Sequence, residues 1–382
     1  MTPDRSYLQD VLLRLLNTPS PSGMTDGVVH MLCDELTQLG IPYELTRRGA
    51  IRAYLEGQQR GPARAVVAHL DTLGAMVKGY KPNGRLQVVP IGFWSSRFAE
   101  GARVTVYADN GVTFKGTLLP AKASGHTFNT EIDTQPVSWD NVELRIDART
   151  RSDAETRALG IHVGDTIAVH ASPEIGPEGF VNARHLDDKA GVAALLAAMK
   201  CIKVSGKKLP VNCFPLFTIS EEIGVGASHV LHGDVAELIS IDNGTVAEGQ
   251  YTCEYGVTIA MQDSSGPFDW HLTRRLLELC ATKGLDHARD VFRYYRSDAA
   301  SALEAGNDIR TALVCFGLDS SHGHERVHLD SLDALARLLI AYLYSPPLFQ
   351  RDRKSLGPLD DFPAAEIQIP DWQDIPAGAS AE

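Results

Sequence analysis

Basic residues are scarce in this sequence: 36 Lys and Arg stand against 48 Asp and Glu, a formal net charge of −12. Nucleic-acid binding depends on clustered Lys and Arg that displace counterions from phosphates, so this balance excludes a nucleic-acid partner. Long apolar runs are missing too. No stretch approaches the roughly 18 apolar residues of a membrane span, which excludes a membrane partner. The one apolar segment near the start, Val11-Leu12-Leu13-Arg14-Leu15-Leu16, is interrupted by Arg14, preceded by Asp10 and followed by no small-residue cleavage site. The expectation is a cytoplasmic protein without an export signal. Cysteines number six and form no CxxC pair, so they supply neither a disulfide framework nor a zinc ribbon, and reduced, mostly buried thiols are expected. No internal repeat is present.

What the chain does have is a core. With 382 residues, 44% hydrophobic and 22% charged, it reads as a soluble globular protein of two domains, or of one domain carrying an insertion. Helical patterns run over 7–16 and 26–39, and a strand over 63–70 ends in His69-Leu70-Asp71. Between about 76 and 175 the pattern changes to short strands punctuated by Gly, Asn-Gly and Pro, at 85–91, 102–107, 112–118, 142–146 and 165–170. Helix and strand then alternate: helices at 188–202, 226–231, 269–283 and 329–344, strands at 211–219, 236–241, 256–261, 291–295 and 311–316. The expected architecture is an α/β domain built from 1–75 and 176–345, with a small β-barrel or sandwich inserted at 76–175. A loosely ordered tail is expected at 346–382.

Five segments place His and carboxylates at or just after expected strand ends: His69-Leu70-Asp71, His185-Leu186-Asp187-Asp188-Lys189, Ser220-Glu221-Glu222-Ile223-Gly224, Ser240-Ile241-Asp242-Asn243 and Ser321-His322-Gly323-His324-Glu325. Open α/β sheets keep their chemistry at that edge. Singly, each has an ordinary reading: a loop histidine, a solvated helix start, an Asx turn. Together they offer imidazole nitrogens and carboxylate oxygens, a donor set that suits zinc or cobalt, and one carboxylate can bridge two ions.

The chain resembles the glutamyl or tetrahedral aminopeptidases, family 42 of the co-catalytic metallopeptidases, from about Tyr7 to Leu343. The matching residues are Ala68-His69-Leu70-Asp71-Thr72-Leu73-Gly74-Ala75-Met76-Val77, Leu159-Gly160-Ile161-His162-Val163-Gly164-Asp165, Leu186-Asp187-Asp188-Lys189-Ala190-Gly191-Val192, Glu221-Glu222-Ile223-Gly224 and Ser297-Asp298-Ala299-Ala300. The resemblance implies a mixed-sheet, three-layer zinc peptidase domain with an inserted β domain that mediates dimers and larger homo-oligomers. It implies two divalent ions, Zn2+ or Co2+, bridged by Asp187. One ion also takes His69 and Asp242, and the other Glu222 and His322. Asp71 orients the His69 ring, and Glu221 stays unliganded as general base. Two dications facing the three charges of Asp187, Glu222 and Asp242 are balanced by one shared hydroxide, poised to attack an amide carbonyl.

Two departures from the family pattern stand out. Thr72-Leu73 replaces an Asp-Glu-Ile-Gly middle pair, at a position that is not a ligand. At the last ligand, His322, His324 and His328 crowd around Glu325 with altered spacing, and His322 is the choice over His324. This ending resembles a variant associated with the osmoprotectant N-acetylglutaminylglutamine amide, so the substrate is expected to be a small peptide or a peptide-like amide. Arg293-Tyr294-Tyr295-Arg296 reads as a strand with surface arginines, with a guanidinium near the site as the alternative. Two other functions compete, a related-fold carboxypeptidase or deacylase and a silent metal-binding scaffold. The carboxypeptidases and deacylases insert their extra domain after the Glu-Glu pair, whereas here 118 positions separate His69 from Asp187 and only 20 separate Glu222 from Asp242, and the unliganded base Glu221 speaks against a silent scaffold.

Overall fold

A computed structural model gives the fold and describes residues 1–349; from residue 350 on, the expected tail lies outside the described residues. Strand Gly57–His69 sits inside a twelve-stranded mixed sheet. It pairs in parallel with Leu209–Thr218 on one side and Val235–Thr245 on the other, and Val235–Thr245 continues in parallel to Arg310–Asp319. Residues 62–69 are buried without alternation, the pattern of a parallel strand covered on both faces. Antiparallel strands Val257–Asp263 and Glu325–His328 both pair with Arg310–Asp319, which makes the sheet mixed.

Helix Leu186–Ser205 is buried along its whole first half, where the run 190–199 is apolar or small on every side and follows the buried charges of Asp187, Asp188 and Lys189. It packs on Arg5–Leu16, on Leu329–Tyr344 and on the strands Gly57–His69 and Val235–Thr245. The approach is close enough that a Cβ at Gly191 would lie 2.1 Å from Asp188 Oδ1 and 2.6 Å from Ile241 Cγ2. Glycine is therefore what lets the start of this helix, with Asp187, sit against the strand that carries Asp242. The buried ammonium of Lys189 donates to the carbonyls of Leu15 and Thr18, which ties the same turn to the end of the first helix.

Between His69 and this helix the chain closes six antiparallel strands into a barrel, in the order Gly74–Tyr80, Leu86–Ile91, Val142–Ile146, Thr113–Pro120, Arg103–Tyr107 and Thr166–Val169. The barrel has its own apolar core, with Val77, Leu86, Val104, Leu118, Leu144 and Ile167 at its centre. Its first strand, Gly74–Tyr80, was not among the strands expected from the sequence.

Two of the expected elements take another form. The helix expected at 226–231 is a single 3-10 turn, Gly226–His229. The strand expected at 291–295 is His287–Val291, after which the chain leaves the sheet because Phe292 turns into a small apolar cluster. All six cysteines are free, and among the described residues no helix is long and apolar enough to cross a membrane.

Candidate metal centre

Parallel pairing brings the strand ends to one edge of the sheet, and the five segments meet there. His69 is the last residue of Gly57–His69, and Asp242 lies near the end of Val235–Thr245. Glu221 and Glu222 follow Leu209–Thr218, and His322 follows Arg310–Asp319. Asp187 enters from the first turn of Leu186–Ser205, where His185 adopts a left-handed φ of 67° and Asp187 is not yet helical.

The Asp187 carboxylate stands between two imidazoles. Its Oδ1 is 3.1 Å from His69 Nε2 and its Oδ2 is 3.4 Å from His322 Nε2. Glu222 Oε2 lies 3.7 Å from His322 Nε2, and Glu221 Oε2 lies 3.8 Å from His69 Nε2. Donor atoms of His69, Asp187 and Asp242 fall within 4.8 Å of one another. All of these side chains are buried except those of Glu221 and His322, which are partly open to solvent. The His324 side chain is exposed.

The surrounding contacts decide which ring nitrogens face inward. His69 Nδ1 is 3.0 Å from the Asp71 main-chain oxygen, and His322 Nδ1 is 2.9 Å from the Phe93 main-chain oxygen in a barrel loop. A carbonyl can only accept, so each Nδ1 carries a proton and donates it there, which leaves each Nε2, hydrogen-bonded to Asp187, as the nitrogen that could give a lone pair to a cation once its own proton is displaced. The Asp71 carboxylate is 3.8 Å from the His69 ring. It accepts instead from the amides of Glu221 (3.0 Å) and Glu222 (3.3 Å) and from the Ser22 hydroxyl (2.5 Å), so it holds the Glu-Glu turn in place.

Two residues in the same segments had no role assigned from the sequence. Asn243 Nδ2 donates to Asp187 Oδ2 at 2.8 Å and to Asp242 Oδ1 at 3.0 Å, pinning both carboxylates. Glu325 accepts from the amides of Asp187 (3.2 Å) and His322 (2.8 Å). Asn and Glu next to an Asp or a His carry no chemical signal alone, and only their neighbours in space make them orienting groups.

Charge in the cluster is lopsided. Burial, followed by the Asp187 charge, pushes Glu222 and Asp242 each up to about 8, and burial pushes Glu221 well up too. Burial would also lower His322, but its hydrogen bond to Asp187 and the charge of Glu222 raise it to about 10. Asp187 alone is held below the usual carboxylate range, against its burial, by hydrogen bonds with His322 and His69. Four carboxylates and two imidazoles therefore share a mostly buried pocket short of positive charge, and this donor set fits divalent cations.

The family described as M42 glutamyl aminopeptidase matches residues 49–338. The chain belongs to that family. Its members are dinuclear metal-dependent peptidases, and this M42 protein is a metallo-aminopeptidase, a hydrolase acting on peptide bonds. It is 34% identical over 337 residues to YhfE of Bacillus subtilis (strain 168), which carries a provisional aminopeptidase name, covering 88% of this chain and 97% of that one. It is also similar to the glutamyl aminopeptidase of Lactococcus lactis subsp. cremoris, at 25% identity over 58% of this chain and 62% of that one. Among solved structures it shares its fold with the Pyrococcus horikoshii TET1 peptidase, which assembles into a tetrahedron or a large octahedral shell. That match has a TM-score of 0.76 and 21% identity, and covers 88% of this chain and 99% of that one. Aminopeptidase APDkam598 from Desulfurococcus kamchatkensis aligns with a TM-score of 0.80 and 20% identity, over 90% and 96%.

In this aminopeptidase the cluster opens into a cleft of about 760 Å³, a volume suited to a small ligand or short peptide. Phe93, Trp94 and Phe98 from the barrel and Phe292 and Tyr295 from the sheet domain supply its apolar walls. The Ser297-Asp298-Ala299-Ala300 motif has a structural role here. Buried Asp298 accepts from the Thr218 hydroxyl and the Ala227 amide, and a Cβ at Gly226 would lie 2.1 Å from its Oδ1, so it locks the chain on both sides of the Glu-Glu turn.

Proposed function

We propose that this M42 protein is a two-metal aminopeptidase in which His69, Asp187 and Asp242 hold one divalent cation and Asp187, Glu222 and His322 hold the other, both zinc or cobalt. The observation that carries this reading is the Asp187 carboxylate, which faces His69 with one oxygen and His322 with the other. Bound there, the two cations would acidify a water and polarise the scissile carbonyl.

The chain's own residues do the rest. Glu221 lines the cleft beside His69 and faces no second imidazole, which leaves its carboxylate available to take a proton from an attacking water. Glu221 takes one proton from the attacking water as the carbon–oxygen bond forms. It then returns that proton to the amine nitrogen as the carbon–nitrogen bond breaks. Asp71 holds the Glu221 and Glu222 amides, while Asn243 and Glu325 hold Asp187 and its partners, so the geometry exists before substrate arrives.

The substrate is a peptide or small peptide-like amide that fits the cleft. The barrel, residues 76–175 as an inserted domain, serves as lid through the Phe93 carbonyl and as a contact for a homo-oligomer, a reading supported by the TET1 assemblies. The test is metal content joined to turnover. Asp187→Asn should hold fewer than one ion per chain against about two in the parent, and Glu221→Gln should keep the metals while kcat on aminoacyl anilides falls by about 10²- to 10⁴-fold. A Glu221→Gln protein with full metal content and parental turnover would overturn the mechanism.

A further inference from the structure

Resting on the hydrolytic site just proposed, we infer that Arg293 binds a substrate carboxylate, so that the enzyme selects short peptides bearing one within the cleft. In a chain of net charge −12 arginines have many acidic partners available, and of the two arginines that line the cleft, Arg293 and Arg296, only the second has taken one. Arg296 makes a two-point pair with Glu304, at 2.5 and 2.6 Å, and Arg326 pairs with Glu254. Arg293 lines the same cleft, is exposed, and has no ion pair or hydrogen bond among the described residues.

Its mounting is rigid on both sides. Phe292 is 2% exposed in an apolar cluster, and its amide donates to the Gln262 carbonyl. Tyr295 accepts at its carbonyl from the Ser264 amide, and its hydroxyl donates to the Asn243 carbonyl at 2.6 Å. The arch that presents Arg293 is thus tied to the strand carrying Asp242. The backbone position of Arg293 is fixed, and the planar fork of its guanidinium loses less freedom per hydrogen bond formed to a planar anion than a lysine ammonium would.

The cleft offers Arg293 no partner of its own. Its acidic lining residues are Asp187, Glu221, Glu222 and Asp242, all committed to the cations or the proton, and Thr245, Gln250 and Ser264 are neutral hydrogen-bonding groups. A substrate carboxylate would meet a two-point cation beside these groups, worth about 10- to 100-fold in affinity. That carboxylate has two sources, the C-terminus of a very short peptide or an acidic side chain. An amide-capped osmolyte has neither.

The experiment compares kcat/KM for two isosteric substrate pairs on the zinc- or cobalt-loaded enzyme: a dipeptide and its C-terminal amide, and peptides differing only in Glu or Gln. At least one pair should favour the carboxylate by about 10-fold or more, and that pair identifies the source. Arg293→Gln should bring the ratio close to one, and Arg293→Lys should restore part of it, while melting temperature stays with the parent. A second measurement works without turnover: calorimetric binding of the same dipeptide and its amide to the Glu221→Gln protein, with and without Arg293→Gln. A parent that prefers neither carboxylate, or an Arg293→Gln protein that keeps the preference, overturns the inference. Failure of all peptides to turn over, with carboxylate binding intact and Arg293-dependent, would instead strike the hydrolytic reading alone.

Discussion

Paired in parallel, the strands Gly57–His69 and Val235–Thr245 carry buried charge at both ends of their shared ladder, and the two ends behave differently. Where the pairing begins, Arg64 and Glu237 meet at 3.0 Å. Arg64 also donates to the carbonyls of Tyr342, Ser345 and Pro346, and Glu237 accepts from the Tyr342 hydroxyl and the Leu348 amide. At their far ends, His69 and Asp242 join Asp187, Glu221 and Glu222, with too few cations among them. One end is balanced and fully hydrogen-bonded, and it docks the chain that follows the last helix. The other is unbalanced until something positive arrives. Buried charge that is satisfied serves architecture, and buried charge that is not marks a binding site.

That contrast breaks most sharply at the unbalanced end. Dialysis against a chelator should abolish peptide hydrolysis, and zinc or cobalt should restore it, while circular dichroism reports an intact fold. Loss of secondary structure on chelation would make the metals structural instead.

The balanced end should respond in stability alone. Arg64→Met strands Glu237 in the core and should cost about 3–5 kcal/mol in urea unfolding, with metal content per folded chain unchanged. The double variant Arg64→Met/Glu237→Leu removes both charges and should recover a large part of that loss. Equal losses in the single and double variants would mean that the contacts to 342–348, and not the pair, hold this end together.

A smaller effect sharpens the boundary between the two ends. Asn243→Leu keeps the size of the side chain but removes the donor to Asp187 and Asp242, and metal affinity measured by competition with a coloured chelator should weaken by about 10- to 100-fold. An unchanged affinity would reduce Asn243 to packing.

Much of this was legible from residue order. The five segments announce themselves because His and carboxylates recur where hydrophobic runs end, and parallel strands must bring those ends to one edge. The barrel showed in the density of short alternating runs and turn residues. Its first strand, Gly74–Tyr80, did not, because its residues directly follow the His69 motif and its partners lie at 86–91 and 166–168. Asp71 was legible as a site residue, but its distribution of contacts was not. Its main-chain oxygen holds His69 while its carboxylate holds the Glu-Glu turn, and sequence spacing cannot separate the two. The run 293–296 looked like a strand because its aromatic content suits one, yet burial of Phe292 and the Tyr295 hydroxyl bond carry it out of the sheet and onto the cleft wall.

Residue types and their order were enough to define an α/β protein with a metal-binding edge, because ligand chemistry and hydrophobic period are local properties written along the chain, and the resemblance its motifs carry implied an aminopeptidase. Long-range folding had to decide which nitrogen of each histidine faces the cluster, which groups hold Asp187 between them, and which of the two cleft arginines is left without a partner. Those choices depend on carbonyls, amides and charges contributed from distant segments, and such neighbours exist only once the sheet and the barrel have closed around the cleft.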